Sequence, residues 1–234
     1  MSSSSRLAGL LVLPLLVLGP FCLVWIPSVV HVAGDPVATA LAVIENAQVF
    51  RLGLLAEIAI AFTEVGMIVA LHRLFGSAGP ELSVAAALAR FVMVALMGVS
   101  VVAGLVALHV APASPELVEG LMVARASIQD VWEAFFALHL LLLAPLVGWS
   151  GRVPRVFGPM LVAAGLGYAA NSLGVLVWPA ASSWTETVVM VTSMLGEVPL
   201  FFWLLFKGVS TGTVAETASA TVVRAVGLRM EPSR

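Results

Sequence analysis

The sequence predicts an all-α protein: a polytopic membrane helical bundle of about six transmembrane helices, with both termini cytoplasmic. Three observations carry that expectation. Of the 234 residues, 61% are hydrophobic and only 10% charged, and the mean hydropathy is +1.09, far from the balance of a soluble domain. Cutting the chain at its Pro, Gly, Ser and charge clusters leaves six apolar runs near the ~20 residues that a helix needs to cross the hydrocarbon core. The basic residues then gather at one set of run ends. The same composition excludes a nucleic-acid binder, a disordered chain and a cytosolic enzyme. A single cysteine, Cys22, excludes a disulfide framework or a thiolate metal cluster.

The first run, Leu7–Ile26, follows Arg6. Small residues at Ala33 and Gly34 also fit a signal peptide, but the run is longer than an ordinary h-region and is counted as a span. Asp35-Pro36 then reads as an N-cap with proline at the first helical position, opening a mildly amphipathic helix up to Phe50. The second and third spans are Leu52–Leu74 and Leu82–Val110. Ser114-Pro115-Glu116 repeats the capping signal before a short helix leading to Arg125, and both short helices are expected to lie as a lid on the outer surface. The remaining spans are Val131–Trp149, Phe157–Trp178 and Val188–Phe206, so that 1–208 forms one domain and 209–234 a short cytoplasmic tail.

Six spans put both termini on one side. The positive-inside rule makes that side cytoplasmic: Arg6, Arg73, Arg152, Arg155, Lys207, Arg224, Arg229 and Arg234 fall inside, against Arg51 and Arg125 outside. The expected location is the bacterial inner membrane, and the lipid bilayer is the first partner. A second copy of the chain is admitted as another.

Charged groups at membrane depth cost a few kcal/mol each and normally face the bundle interior. Glu57, Glu64, Arg90, Glu133 and Glu197 fall in the spans, with His139, Tyr168 and Asn171 as polar company. At ~1.5 Å per residue, Glu64 lies about 20 Å below the outer end of its helix and Arg90 about 13 Å above the inner end of the next, which puts them at one level as a structural ion pair. Tyr168 and Asn171, three apart, are expected to line one cavity. Pro199 removes a donor, leaves the Leu195 carbonyl exposed beside Glu197 and kinks the last helix, and Pro145 acts similarly in the fourth span. One arginine cannot compensate four buried glutamates, so some carboxyls are expected to be protonated or reached by water. The four histidines give no facing pair and no His-x-x-x-His, which argues against haem and zinc, and no cofactor or metal is expected.

Arg6-Leu7-Ala8-Gly9-Leu10, Phe50-Arg51-Leu52-Gly53, Arg152-x-Pro154-Arg155-x-x-Gly158, Ala164-Gly165-Leu166-Gly167-Tyr168 and Gly196-Glu197 resemble, over nearly the whole chain, a widespread bacterial membrane family catalogued as domain of unknown function 4386. The resemblance brings no activity with it. Glu57 and Asn171 stand where members often carry aspartate. A looser likeness, of size and architecture only, is to small integral-membrane terpene cyclases, which protonate an isoprenoid alkene or epoxide from an embedded carboxylic acid.

Two functional readings follow. In the first, the protein is an isoprenoid cyclase or isomerase acting on a hydrophobic small-molecule substrate. Glu57 or Glu197 donates the proton, His139 orients the acid or accepts the released proton, and Tyr168, Asn171, Glu133 and Trp203 help form the substrate site. In the second, the same glutamates change protonation in a proton-linked transporter or a ligand-responsive membrane protein.

Overall fold

The structure, a computed structural model, describes residues 3–178 and 182–209. The described residues form helices and no strand: α1 (Ser3–Pro20), α2 (Ile26–Val30), α3 (Pro36–Glu45), α4 (Ala47–Phe75), α5 (Pro80–Val110), α6 (Pro115–Trp149), α7 (Phe157–Val177) and α8 (Ser182–Phe206). A π-helical turn, Phe21–Trp25, joins α1 to α2. Its cause is local. Pro27 has no N–H to give the carbonyl four residues back, and its ring crowds that carbonyl, so the helix widens by a residue there instead of breaking. Six helical segments are long and apolar enough to cross a membrane, the first running continuously over Arg6–Val30. The protein is therefore a multi-pass helical membrane bundle. The tail expected over 209–234 lies, beyond Val209, outside the described residues.

Chain neighbours pack as antiparallel hairpins, and α1 closes the bundle by lying against both α4 and α8. Gly9 meets the backbone of Leu205, so the start of α1 and the end of α8 share one end of the bundle. At that same end, Arg152 in the α6–α7 connection donates to the Leu74 carbonyl at 2.5 Å and to Ser77 Oγ at 3.2 Å, securing the α4–α5 turn. The main core runs through the bundle between these helices around Met67, Phe75, Leu140 and Leu204.

The opposite end carries a second, smaller core of Ile26, Val30, Val43, Phe50, Val118 and Met122. It forms because α3 lies across this end with Ala40 and Val43 turned inward. The Asp35 carboxylate caps α3, accepting from Ala38 N–H at 2.9 Å, with Pro36 at the first helical position. The expected separate helix before Arg125 is absent. Pro115 to Trp149 is one helix of 35 residues, and Ser114 makes no side-chain cap. No Pro or Gly interrupts the stretch from Leu121 to Ala144, so nothing breaks the hydrogen-bond ladder at Arg125. At ~1.5 Å per residue α6 exceeds a ~30 Å core by roughly 20 Å, and its Pro115 end overhangs to support α3.

Candidate functional site

Continuity of α6 brings Arg125 into the bundle rather than leaving it in a loop. Its Nη2 lies 2.5 Å from Glu57 Oε1, its Nη1 donates to the Ser100 carbonyl at 2.5 Å, and its guanidinium lies over the Phe50 ring. Gly104 makes room for it: a methyl group there would come within 2.7 Å of Arg125 Nη1. The expectation of one buried arginine for four glutamates is thus corrected to two. The second arginine is gained because α6 begins at Pro115 and not at Val131.

The second ion pair sits deeper. Arg90 Nε lies 2.5 Å from Glu64 Oε2, with both side chains almost fully buried. Arg90 Nη1 is 2.9 Å from His139 Nε2, and His139 Nδ1 is 2.8 Å from the Ala86 carbonyl. A carbonyl can only accept and a guanidinium can only donate, so Nδ1 carries the hydrogen and Nε2 presents its lone pair to Arg90. The Phe136 ring covers Arg90 at 5.1 Å. Every group around this arginine is therefore matched, and His139 acts as an acceptor that holds Arg90.

Glu133 belongs to a third, separate cluster. Asn171 Nδ2 donates to Glu133 Oε2 at 2.7 Å, Thr185 Oγ1 donates to Asn171 Oδ1 at 2.7 Å, and Gln129 reaches Glu133 Oε1 at 3.4 Å. This chain of bonds ties α6, α7 and α8 together near the α3 end. Tyr168 does not share it. Three residues along a helix turn through about 300°, leaving a 60° divergence; Tyr168 instead packs edge-on against Phe136, with Glu197 and Ser193 as hydrogen-bonding neighbours and Glu133 within electrostatic range.

Glu197, like Glu133, has no salt-bridge partner within 4 Å among the described residues; unlike Glu133 it faces a cavity, with the Tyr168 side chain as its neighbour. It lines a cavity of about 220 Å³ to which all six spans contribute, including Leu16, Glu64, Arg90, Trp132, Tyr168 and Glu197. Gly196 sets the position of its carboxyl, since a Cβ there would lie 2.6 Å from the Met160 carbonyl oxygen. Glycine lets α8 touch α7 and directs the next residue inward.

A second chamber of about 210 Å³ lies toward the α3 end, lined by His31, Glu57, Ser100, Arg125 and Gln129. Leu23, Met97 and Trp132 line both chambers and form the partition between them. The predicted site residues are accordingly distributed. Glu64, Arg90, Tyr168 and Glu197 share the deep cavity, Glu57 faces the other chamber, and Glu133 and Asn171 line neither. Trp203 packs on Phe157 near the Lys207 end. Trp132, one residue inside the expected start of the fourth span, and Arg125, expected outside the spans, are the two site residues that the sequence did not single out.

These features define a polytopic helical membrane protein with two cavities in the bundle, each lined by apolar side chains and a few charged ones. The family model described as a domain of unknown function (DUF4386) matches residues 7–208, and the chain belongs to that family. It is 34% identical over 96 residues to a protein of Archaeoglobus fulgidus named only as an uncharacterized protein. That alignment covers 41% of this chain, and the chain spans about half, 56%, of the relative's length. No solved structure matches the chain.

Proposed function

We propose that the protein is a membrane enzyme performing general acid–base chemistry on a lipid-soluble substrate, of the isoprenoid cyclase or isomerase class, with Glu197 as the proton donor. The observation that carries this reading is the placement of one carboxyl outside any ion pair in a mostly apolar cavity, while the Glu64 carboxylate that shares the cavity is held by Arg90 and Glu57 is held by Arg125. A carboxylic acid in such a site delivers its proton to a substrate with little competition from water. Glu197 gives its proton to an alkene carbon or epoxide oxygen, and the resulting cation is attacked by a second double bond of the same molecule. The proton lost from the cyclised or shifted product returns to the Glu197 carboxylate, so no co-reactant is consumed. Tyr168 positions the Glu197 carboxyl. One face of Phe136 is taken by Arg90, and Trp132, Tyr168 and Phe201 are further aromatic surfaces of the cavity for a developing cation. The Glu64–Arg90–His139 cluster keeps a compensated charge beside the reaction without supplying the proton.

Purified protein in lipid nanodiscs, offered linear isoprenoid alkenes and epoxides of increasing chain length, forms product on this reading. Glu197→Gln lowers the rate by about 10² or more, the usual contribution of a positioned acid. Full turnover in a folded Glu197→Gln protein excludes the assignment.

The partition at Trp132 between two chambers that each hold ionisable side chains supports an alternative reading, a proton-linked transporter that exchanges contents between them. Proton flux in liposomes that requires Glu197 and occurs without product formation favours that alternative.

The positive-inside rule supports a cytoplasmic location for the Arg152 end. Arg6, Arg73, Arg152, Arg155 and Lys207 gather there, and Arg125 leaves the opposing count because it is paired inside the bundle. The bacterial inner membrane is the proposed location.

A further inference from the structure

The wall of the Glu197 cavity is uneven between the first and last spans. At Gly9 the helices touch: a Cβ there would lie 2.5 Å from the Leu205 Cα. Ten residues further along α1, roughly 15 Å by helical rise, a Cβ on Gly19 would meet nothing within 4 Å, although Gly19 itself lines the cavity. The antiparallel run of α8 brings Met194 and Val198 to the cavity from the other side, and Met194 is 55% exposed. The two helices thus touch at Gly9–Leu205, whereas at Gly19, on the cavity wall, no atom of another helix comes within 4 Å of a Cβ. This leaves open space beside the cavity on the side of Gly19 and Met194.

We propose that this gap is a lateral portal through which the hydrocarbon chain of a bilayer-dissolved amphiphile reaches the Glu197 cavity. Three observations select that occupant. The opening lies partway along spans whose outward surface is apolar, with Leu13 and Leu195 exposed near it, so the medium at its mouth is acyl chain rather than water. The jambs Leu15, Leu16, Gly19, Met194 and Val198 carry no charge. The polar atoms of Tyr168, Ser193, Glu197 and the Glu64–Arg90 pair also line the cavity, so an apolar chain enters with its reactive or polar group facing them. The inference rests on the acid–base reading only for what happens to the chain once inside.

The test keeps Trp132 as the sole tryptophan by replacing Trp25, Trp149, Trp178, Trp184 and Trp203 with phenylalanine. The protein is reconstituted in phosphatidylcholine vesicles with brominated acyl chains, and bromine quenching of Trp132 reports chain access. The expected result is strong quenching in this parent and its loss in Gly19→Phe, where the ring fills space that no atom occupies. Met194→Phe narrows the same gap from α8 and carries the same expectation should Gly19→Phe fold poorly. Gly98→Phe, at another position with nothing within 4 Å and outside the cavity lining, leaves quenching unchanged. An unquenched parent, or equal quenching in the parent and a folded blocking variant, overturns the portal. Quenching requires no turnover, so a Glu197→Gln protein that loses product but keeps quenching supports both the acid and the portal, and one that keeps product and quenching overturns the acid while leaving the portal standing.

Discussion

Arg90 and Arg125 are the two side chains on which the interior electrostatics turn. Removing one partner of a buried ion pair strands the other charge, at about 3–5 kcal/mol, whereas replacing both with apolar groups of similar volume is near neutral. Arg90→Met is therefore expected to lower stability by about that amount, and Glu64→Leu with Arg90→Met together to recover most of it, as read by reversible unfolding in mixed micelles. A single variant as stable as the parent would contradict the matched cluster. Glu197→Gln, which breaks no ion pair, is expected to stay within about 1 kcal/mol of the parent. Much of this was legible in the sequence where helix register alone decides the level: Glu64 and Arg90 meet at the depth that counting residues gives. The Glu57–Arg125 pair was not legible, because it depended on where α6 begins. The three-residue spacing of Tyr168 and Asn171 suggests one shared cavity, but it leaves a divergence of about 60°, and Asn171 bonds Glu133 and Thr185 instead.

At the scale of elements, α3 is held down by one carboxylate. Glu119 on α6 accepts from Thr39 Oγ1 at 2.9 Å and from Gly34 N–H at 3.1 Å, and lies 3.2 Å from His31 Nε2. The capping signal at Asp35-Pro36 foretold the helix, since it needs only local chemistry, but its anchor is 80 residues away in sequence and no periodicity points to it. Glu119→Ala leaves these groups to water, and at about 1 kcal/mol per lost bond is expected to speed amide exchange across Val32–Glu45 by roughly tenfold or more. Unchanged exchange would show that packing of Ala40 and Val43 alone holds α3. The close crossing of α7 and α8 is a second element-scale feature. Gly196→Val places branched carbon against the Met160 carbonyl and is expected to cost about 1–3 kcal/mol and to displace Glu197, lowering activity as well as stability. A stable, fully active Gly196→Val protein would contradict that crossing.

For the whole molecule, the six-span bundle was readable from composition and run length because lipid permits so few backbone solutions. The handful of misplaced boundaries came from helices that extend beyond the hydrocarbon, as α6 does at Pro115, where hydropathy fades but the helix continues. The proposed orientation rests on the clustering of basic residues at the Arg152 end. With Cys22 replaced, an impermeant maleimide applied to intact cells is expected to label Val37→Cys and to label Arg155→Cys only after lysis, both positions being exposed. The reverse pattern would invert the topology. Access to Glu197 is the property on which the functional account stands, and a hydrophobic carbodiimide followed by peptide mass spectrometry measures it directly. The reagent adds to a protonated carboxyl reachable from the bilayer. The account predicts addition at Glu197, suppressed by a bound isoprenoid chain, with the arginine-paired Glu57 and Glu64 unmodified. Addition at Glu57 or Glu64 with Glu197 spared would contradict it.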